Sequence, residues 1–231
     1  HHGVKALIFN QAHLLPCWES WPDSVREQLA AALRAATAFD LLRAHKVGAF
    51  LAELNRREID FLIIKGDAVA RTHYSSTSLR TRCDTDLFIG IKDLEGARTA
   101  LLESGFEVIP PIYKSHQFVG ASIPLGSTSI VFDVHWRILN ASRYARVIGF
   151  TEALEHSIPL PGMESCRTLG PMDSLLLACM HRKGSENHDQ DHLVWLYDIH
   201  LLVSSLSALE LQEFALKAVR KNMQAECRDG M

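Results

Sequence analysis

The sequence predicts an α+β fold: a small mixed β-sheet within an α/β core, flanked by N-terminal helices and a C-terminal helical region. Three observations support this prediction. Apolar residues recur at helical spacing before residue 57, short apolar runs typical of strands follow, and helical spacing returns after residue 140. We therefore expect a helical segment over residues 1–57, a core over 58–140 and a helical region over 141–231.

Composition narrows the class of protein. With 47% hydrophobic and 22% charged residues, the 231-residue chain can bury a substantial core. A net charge of −3 argues against a tight, non-specific nucleic-acid binder, and no apolar run approaches the roughly 18 residues that span a bilayer. Because no cysteines have C-x-x-C spacing, we expect neither a disulfide framework nor a cysteine zinc site, and we expect a cytoplasmic location. The cysteines are Cys17, Cys83, Cys166, Cys179 and Cys227.

The N-terminal helical pattern begins at a capping box. Ser24 and Glu27 have the S-x-x-E spacing in which each side chain bonds the other residue's backbone N–H. Apolar residues then recur every three or four positions as far as Leu54, and Gly48 is expected to divide the pattern into two helices. An apolar run over residues 59–64 follows and predicts a buried strand.

The core pattern continues with one helix and a hairpin. Asp93 can cap a helix that stops near Gly105, and a strand end over residues 106–109 follows it. Two β-like runs, residues 113–123 and 128–138, predict a hairpin because a Pro-Leu-Gly-Ser segment separates them.

Three helices are predicted in the C-terminal region. The first begins at Pro171 and ends at His181, and the second spans residues 192–203. The third begins at another capping box, formed by Ser207 and Glu210. The chain shows no internal repeat, so a repeat architecture is not expected.

A pair of aspartates stands at the start of a second apolar run. Asp84-Thr85-Asp86 leads into this run, and side chains two residues apart on a strand share one face. Two adjacent carboxylates at the start of a buried strand repel each other and lose hydration. A hard divalent cation between them would stabilise the arrangement, and Mg²⁺ prefers oxygen ligands. The pair therefore predicts a magnesium site.

A third aspartate interrupts the apolar run of residues 129–136. Asp133 shares a strand face with His135, and the alternatives to a metal ligand are an edge strand with a solvated carboxylate or an Asp–Arg pair. Together with Asp84 and Asp86, Asp133 predicts a site for two Mg²⁺ ions that align an attacking oxygen, a phosphorus and a pyrophosphate leaving group. Because neighbouring carboxylates repel, we expect Asp86→Asn to abolish transfer while leaving the fold intact or stabilised.

The order of these motifs resembles that of the DNA polymerase β-type nucleotidyltransferase superfamily. The shared order is a Lys-Gly turn, a helix, R-x-x-x-D-x-D and a later strand aspartate. More narrowly, six segments spread over residues 60–200 are similar to the uncharacterised nucleotidyltransferase family of bacterial genomes. The segments are KGDAVARTHY, SLRTRCDTDLFI, LLESGFE, FDVHWRI, LLLACMH and LVWLYDI.

The resemblance implies an activity and a set of metal ligands. The implied enzyme is a nucleotidyltransferase of the EC 2.7.7 type that moves an NMP group from an NTP such as ATP to an acceptor hydroxyl group. It would use two Mg²⁺ ions and release pyrophosphate. Asp84, Asp86 and Asp133 match the family's catalytic, metal-binding carboxylates.

The same resemblance places the donor triphosphate at the Lys65-Gly66 turn. Lys65 either contacts the triphosphate together with the helix N-terminus or is a surface lysine. Arg80 matches the arginine ahead of D-x-D, and Arg80 and Arg82 either neutralise phosphate or balance the aspartates. The chain departs from the superfamily's Gly-Ser at this turn, and Asp67 is expected to place a negative charge beside the triphosphate.

Three residues outside the carboxylate set have alternative roles. Asp198 lies among apolar residues on a predicted helix and is expected to be a general base for the acceptor hydroxyl, as in related nucleotidyltransferases, or else a cap or ion-pair partner. His135 either orients Asp133 or touches the acceptor, unless it is a hydrogen-bonded strand histidine. His181 is interpreted as a helix-end or core histidine.

Two other functional classes stay open. One is an inactive nucleotidyltransferase-like binding module that acts in a complex or as an antitoxin-like partner, and it would not bind Mg·NTP. The other is a zinc hydrolase built on His188 and His192, which would bind stoichiometric zinc without needing Asp84. For the leading hypothesis, the acceptor is a small molecule such as an antibiotic, a protein side chain or an RNA end. The sequence pI of about 6.5 disfavours long RNA.

Overall fold

The computed structural model describes residues 2–109, 116–121, 129–184 and 192–230. The helices are α1 Lys5–Ala12, α2 Asp23–Arg56, α3 Lys65–His73, α4 Leu94–Glu103, α5 Phe150–Glu155, α6 Pro171–Gly184, α7 Leu193–Ser204, α8 Ala208–Arg220 and α9 Gln224–Gly230. The strands are β1 Phe61–Ile64, β2 Asp84–Ile89, β3 Glu107–Ile109, β4 Gln117–Ala121, β5 Val131–His135, β6 Ile158–Pro159 and β7 Arg167–Thr168. These elements confirm the predicted α+β fold with a mixed sheet.

The sheet places the aspartate-bearing strands at its centre. Its strand order is β3-β4-β5-β2-β1-β7-β6. Strand β2 runs antiparallel to β1 and parallel to β5, and the register sets Asp86 opposite Ile64 on one side and Asp133 on the other. Because paired residues of neighbouring strands point to the same face, the carboxylates of Asp86 and Asp133 lie side by side.

Two apolar clusters cover the two faces of the sheet. Alternate residues of β1 and β2 belong to opposite clusters, as the two-residue period of a strand requires. Helices α2 and α4 cover the face that carries Leu87, and helices α6, α7 and α8 cover the face that carries Phe88. The carboxylates share the Phe88 face, so they point toward the C-terminal helices.

Helix α2 differs from its prediction at two points. It begins at Asp23, after Pro22, and no side chain caps its start, so the expected capping box does not form. It also continues through Gly48 without a break. The neighbouring Val47, Phe50 and Leu51 are buried against the sheet, and their burial outweighs a glycine penalty of roughly 1 kcal/mol.

The remaining element predictions agree with the structure where it describes them. Gly105 ends α4 with φ +80°, and the Ser207–Glu210 capping box is present at α8. Strands β4 and β5 pair antiparallel, as a hairpin requires, while the predicted Pro-Leu-Gly-Ser turn lies outside the described residues. Helices α1, α5 and α9 and the two-residue strands were not predicted as separate elements, because such short segments carry little periodicity. None of the described helices has the length and apolar character that crossing a bilayer requires.

Candidate active site

A cavity of about 500 Å³ lies where the Phe88 face of the sheet meets helices α6 and α7. The start of β2, the β1–α3 turn and β5 form one side of it. Side chains of α6 and α7 form the opposite side. Its lining includes Lys65, Gly66, Arg80, Asp84, Asp86, Asp133, Leu177, His181, Trp195 and Asp198.

Three carboxylates share this cavity. Asp84 and Asp86 lie on the same face of β2, and Asp133 is the register partner of Asp86 on β5. Single ligand atoms of Asp86, Asp133 and His135 all lie within 4.8 Å of one another. The fold therefore brings two of the three predicted metal ligands, Asp86 and Asp133, together with His135, while Asp84 lines the same cavity but lies outside that cluster.

Lys65 supplies a positive charge to this group. Its Nζ donates a hydrogen bond to Asp86 Oδ1 at 2.7 Å and lies 3.2 Å from His135 Nε2. His135 Nε2 is itself 2.9 Å from Asp86 Oδ1. Lys65 has φ +54°, in the left-handed region, at the point where β1 turns into α3. The strained turn thus delivers the ammonium group to the most buried carboxylate of the three.

The electrostatics of the three carboxylates differ. Burial, together with the neighbouring carboxylates of Asp86 and Asp84, raises the pKa of Asp133 to about 7. Burial and Asp86 also raise the pKa of Asp84. Burial opposes ionisation of Asp86 as well, yet the Lys65 ammonium and His135 lower its pKa overall. Lys65 lowers the pKa of all three carboxylates, but at Asp84 and Asp133 burial and repulsion outweigh its effect.

This electrostatic imbalance fits a divalent cation. Within the described residues, the ion pair of Lys65 with Asp86 is the only Lys or Arg pair made by the three carboxylates. Burial and the nearby Lys65 lower the pKa of His135 to about 4, so its imidazole is neutral at pH 7. Carboxylate oxygens and a neutral imidazole nitrogen are ligands for divalent metal ions. A cation bound here would reduce the electrostatic repulsion between the carboxylates of Asp84, Asp86 and Asp133.

Arg80 and Asp198 form a buried ion pair across the cavity. The Arg80 guanidinium donates to both oxygens of Asp198, at 2.8–3.1 Å, and Tyr74 Oη donates to Asp198 Oδ1 at 2.8 Å. Burial and Asp198 together raise the pKa of Tyr74. Of the roles considered for Asp198, the structure shows that of an ion-pair partner. A Cβ atom at Gly66 would lie 3.3 Å from Arg80 Nη2, so the guanidinium also faces the β1–α3 turn.

Asp67 does not face the cavity, which corrects the expectation of a negative charge beside the triphosphate. It is 1% exposed, is not among the residues that line the cavity, and lies in a buried ion-pair network. There its carboxylate pairs with Arg43 at 2.9 Å and with Arg82 at 3.0 Å. Arg82 lines the cavity, but it also pairs with Asp40 at 2.6 Å, so its guanidinium is held by this buried network.

Arg43 is a site-supporting residue that the sequence prediction missed. It is 2% exposed and donates to the backbone oxygen of Asp84 at 2.8 Å and to the Thr85 hydroxyl. It thereby holds the start of β2 from behind the carboxylates. A signal was present, because Arg43 stands four residues before the buried Val47 on the apolar face of α2.

Aromatic side chains form the opposite side of the cavity. The rings of His181 and Trp195 are 5.0 Å apart and edge to face, and those of His192 and Trp195 are 4.5 Å apart. Burial and Lys65 lower the pKa of His181 to about 3. His181 was interpreted as a helix-end or core residue, but α6 continues to Gly184 and the ring lines the cavity. His188, the partner of His192 in the zinc hypothesis, lies outside the described residues.

Comparisons with known proteins concern the family and the fold of the chain. The profile of a family described as "Uncharacterised nucleotidyltransferase" matches residues 1–231. A solution structure of the antibiotic-resistance factor ANT(2'')-Ia has a TM-score of 0.56 and 17% identity, covering 80% of this chain and 95% of its own. A crystal structure of ANT(2'')-Ia in complex with adenylyl-2''-tobramycin has a TM-score of 0.52 and 16% identity, with 75% and 95% coverage. At these identities the likeness concerns the fold. A search of curated proteins found no match.

Proposed function

The chain belongs to the uncharacterised nucleotidyltransferase family, and from this premise we propose that it transfers an NMP group from an NTP to a hydroxyl group of an acceptor molecule, releasing pyrophosphate. One observation carries the proposal. Asp84, Asp86 and Asp133 converge on one cavity beside the Lys65-Gly66 turn.

The three aspartates would hold the divalent cations. Two Mg²⁺ ions in this position supply Lewis-acid stabilisation of charge on the transferred phosphoryl group. Asp84 and Asp86 would serve both ions, and Asp133 would serve the catalytic ion. Burial and the repulsion between carboxylates raise the pKa values of Asp84 and Asp133, and this supports the assignment because a bound cation favours the charged form of both groups.

The β1–α3 turn would bind the donor triphosphate. The backbone N–H groups of the first turn of α3 lack helical partners and can donate to phosphate oxygens. Gly66 leaves the backbone open to close approach, and Lys65 and Arg80 add positive charge at the turn. Asp198 would act through Arg80, because both of its oxygens accept hydrogen bonds from the Arg80 guanidinium. We therefore assign Asp198 to positioning Arg80 and assign Arg82 to the buried network.

A small-molecule acceptor is the class we favour. The complex of ANT(2'')-Ia with adenylyl-2''-tobramycin shows that a chain of this fold can accommodate an adenylylated small molecule. The cavity volume of about 500 Å³ lies within the range of small-molecule sites. The protein's net charge of −3 offers little attraction to long RNA.

Calorimetric titration of each NTP with and without Mg²⁺ tests the proposal. We expect binding that requires Mg²⁺ and that disappears in the Asp84→Asn/Asp133→Asn double variant. These two residues are chosen because neither makes an ion pair within the described residues, so their substitution leaves the Lys65–Asp86 contact in place. Asp60→Asn, at an exposed position before β1, is the matched control and should bind like wild type.

The outcome distinguishes the functional classes. Magnesium-dependent binding that is lost only in the double variant would support the proposal and would identify the donor nucleotide. Wild-type protein that binds no NTP at any Mg²⁺ concentration would contradict it and favour the inactive binding module. Retained Mg·NTP binding in the double variant would contradict the assignment of the metal ligands.

A further inference from the structure

The contacts of Lys65 set it apart from the other cations of the cavity. Arg80 and Arg82 are held by partner aspartates outside the metal site, whereas the Lys65 ammonium contacts the candidate ligands themselves. Its Nζ lies 2.7 Å from Asp86 Oδ1 and 3.2 Å from His135 Nε2. These are two of the three ligand groups that cluster within 4.8 Å.

A metal ion and this ammonium group compete for the same atoms. A divalent cation bound to Asp86 would stand within a few ångströms of the Lys65 charge, and like charges at such distances repel strongly in a buried site. The Lys65 ammonium can take a second partner within the cavity. Lys65 is the first residue of the nine-residue helix α3, and its side chain, only 15% exposed, lines the cavity beside Gly66. The flexible four-carbon stem of a lysine allows such a change of partner.

We propose that the Lys65 ammonium is the counter-ion of the metal site until a metal ion binds. A divalent cation displaces the ammonium, which then binds the triphosphate of the donor. The proposal rests on the function proposed above. In this proposal the site always holds either the Lys65 ammonium or a divalent cation, so that the buried Asp86 always has a positive partner. The displacement also makes metal ion and nucleotide bind cooperatively, because the triphosphate gives the displaced ammonium a new partner.

The left-handed backbone of Lys65 supports this role. With φ +54°, Lys65 occupies a conformation that non-glycine residues seldom adopt. The strain is maintained by the surrounding turn and points the ammonium at Asp86, where it makes its ion pair. Glycine would relieve the strain at this position but would remove the counter-ion.

Titration with Mn²⁺, read by electron paramagnetic resonance, tests the proposal without any turnover. The probes are Mn²⁺ alone and Mn²⁺ with inorganic tripolyphosphate, corrected for the Mn²⁺ that tripolyphosphate binds in solution. The variants are Lys65→Met, which removes the charge, and Lys65→Gln, which removes the charge but keeps a donor for Asp86. Lys46→Met, at an exposed position of α2, is the matched control.

We expect both Lys65 variants to bind Mn²⁺ alone about tenfold more tightly than wild type, because the competing charge is gone. We also expect tripolyphosphate to enhance Mn²⁺ binding at least about fivefold less in the variants than in wild type. Lys46→Met should match wild type in both titrations. Because Lys65→Gln keeps a polar donor that Lys65→Met lacks, agreement between the two variants assigns the effect to the lost charge.

Each of the other outcomes contradicts the counter-ion proposal, the proposed function or both. If wild type binds Mn²⁺ with tripolyphosphate but the variants bind Mn²⁺ alone no more tightly, the counter-ion proposal is overturned while the proposed function stands. If only the variants bind Mn²⁺, Lys65 excludes the metal ion from the wild-type site, and both the proposed displacement and the proposed function are contradicted. If no protein binds Mn²⁺, both are overturned.

Discussion

Two neighbouring carboxylates of the cavity, Asp86 and Asp133, differ in whether their surroundings favour the charged form. Asp86 accepts hydrogen bonds from Lys65 and is stabilised in its charged form, whereas burial and repulsion disfavour charge on Asp133. The difference arises from the side chain of Lys65, which reaches Asp86 but makes no ion pair with Asp133 in the described structure. Substitutions of the two residues should therefore have opposite effects on stability.

The first prediction concerns Asp133→Asn. The pKa of Asp133 is raised to about 7 in the folded protein, so the folded state binds more protons than the unfolded state between about pH 4 and pH 7. The wild-type free energy of unfolding therefore falls across this range, and Asp133→Asn should remove that fall. At pH 8 without metal, the variant should be more stable by about 1–2 kcal/mol, allowing for solvent screening of a partly exposed group. Urea unfolding across pH measures this difference, and equal pH profiles would contradict it.

The second prediction revises the one made from sequence for Asp86→Asn. The sequence shows adjacent carboxylates and predicts that removing Asp86 leaves the fold intact or stabilised. In the structure, this substitution leaves the Lys65 ammonium in the cavity without its carboxylate. Because breaking a buried ion pair is destabilising, we expect Asp86→Asn to lower the free energy of unfolding by about 2–3 kcal/mol. Urea unfolding at pH 7 checks this, and an unchanged or raised stability would show that Lys65 does not stabilise Asp86.

At the scale of residues, the aspartates could be predicted and their partners could not. The D-x-D spacing and the aspartate within a strand are local patterns, so the sequence identifies them. Lys65–Asp86 and Arg80–Asp198 join residues that are 21 and 118 positions apart, and no periodicity reports such contacts. The position of Asp67 could not be predicted either. Its place next to Gly66 favours a carboxylate in the cavity, but in the folded chain it pairs with Arg43.

Helix α2 is the element whose prediction most needed the structure. Its sequence contains Gly48, a residue of low helix propensity, yet the helix runs unbroken for 34 residues. Burial of one face against the sheet, which involves residues distant in sequence, decides the outcome. By contrast, the Ser207–Glu210 capping box was predicted correctly because all of its contacts are local.

The third prediction follows from this element. An added Cβ at Gly48 meets no atom within 4 Å, so Gly48→Ala should raise the free energy of unfolding by about 0.5–1 kcal/mol. Gly170→Ala is the contrasting variant, since its Cβ would lie 2.7 Å from the backbone oxygen of His156 and should destabilise the protein. Chemical denaturation compares the two, and a destabilising Gly48→Ala would mean that α2 is interrupted there.

The fourth prediction concerns the buried contact between α2 and β2. Arg43→Met removes a hydrogen bond to the Asp84 backbone oxygen, one to the Thr85 hydroxyl and an ion pair to Asp67, and we expect a loss of about 3 kcal/mol in stability. Because Arg43 holds the start of β2, Mg·NTP affinity should also fall in the folded variant. Arg34→Met, at an exposed position of the same helix, is the control and should change neither quantity. Unchanged nucleotide affinity in folded Arg43→Met would show that Arg43 does not position the metal site.

At the scale of the whole molecule, the sheet could be predicted from the sequence, whereas the site is complete only when the helices pack against the sheet. The sheet brings Asp84, Asp86 and Asp133 together from two strands, and that convergence could be anticipated from alternation along the strands. The far side of the cavity comes from α6 and α7, whose His181 and Trp195 could not be placed from sequence. Helical periodicity indicates which residues face a core, but it does not indicate which part of that core is a cavity.

The most direct test of the account is a crystal structure grown with Mn²⁺ and a non-hydrolysable NTP analogue, with Mn²⁺ located by its anomalous scattering. We predict anomalous peaks within coordination distance of Asp84, Asp86 and Asp133, with the triphosphate at the Lys65-Gly66 turn. The Lys65 ammonium should then contact phosphate oxygen rather than Asp86. Nucleotide bound elsewhere, or a cavity in which Lys65 still pairs with Asp86 and no peak lies near the aspartates, would contradict the account.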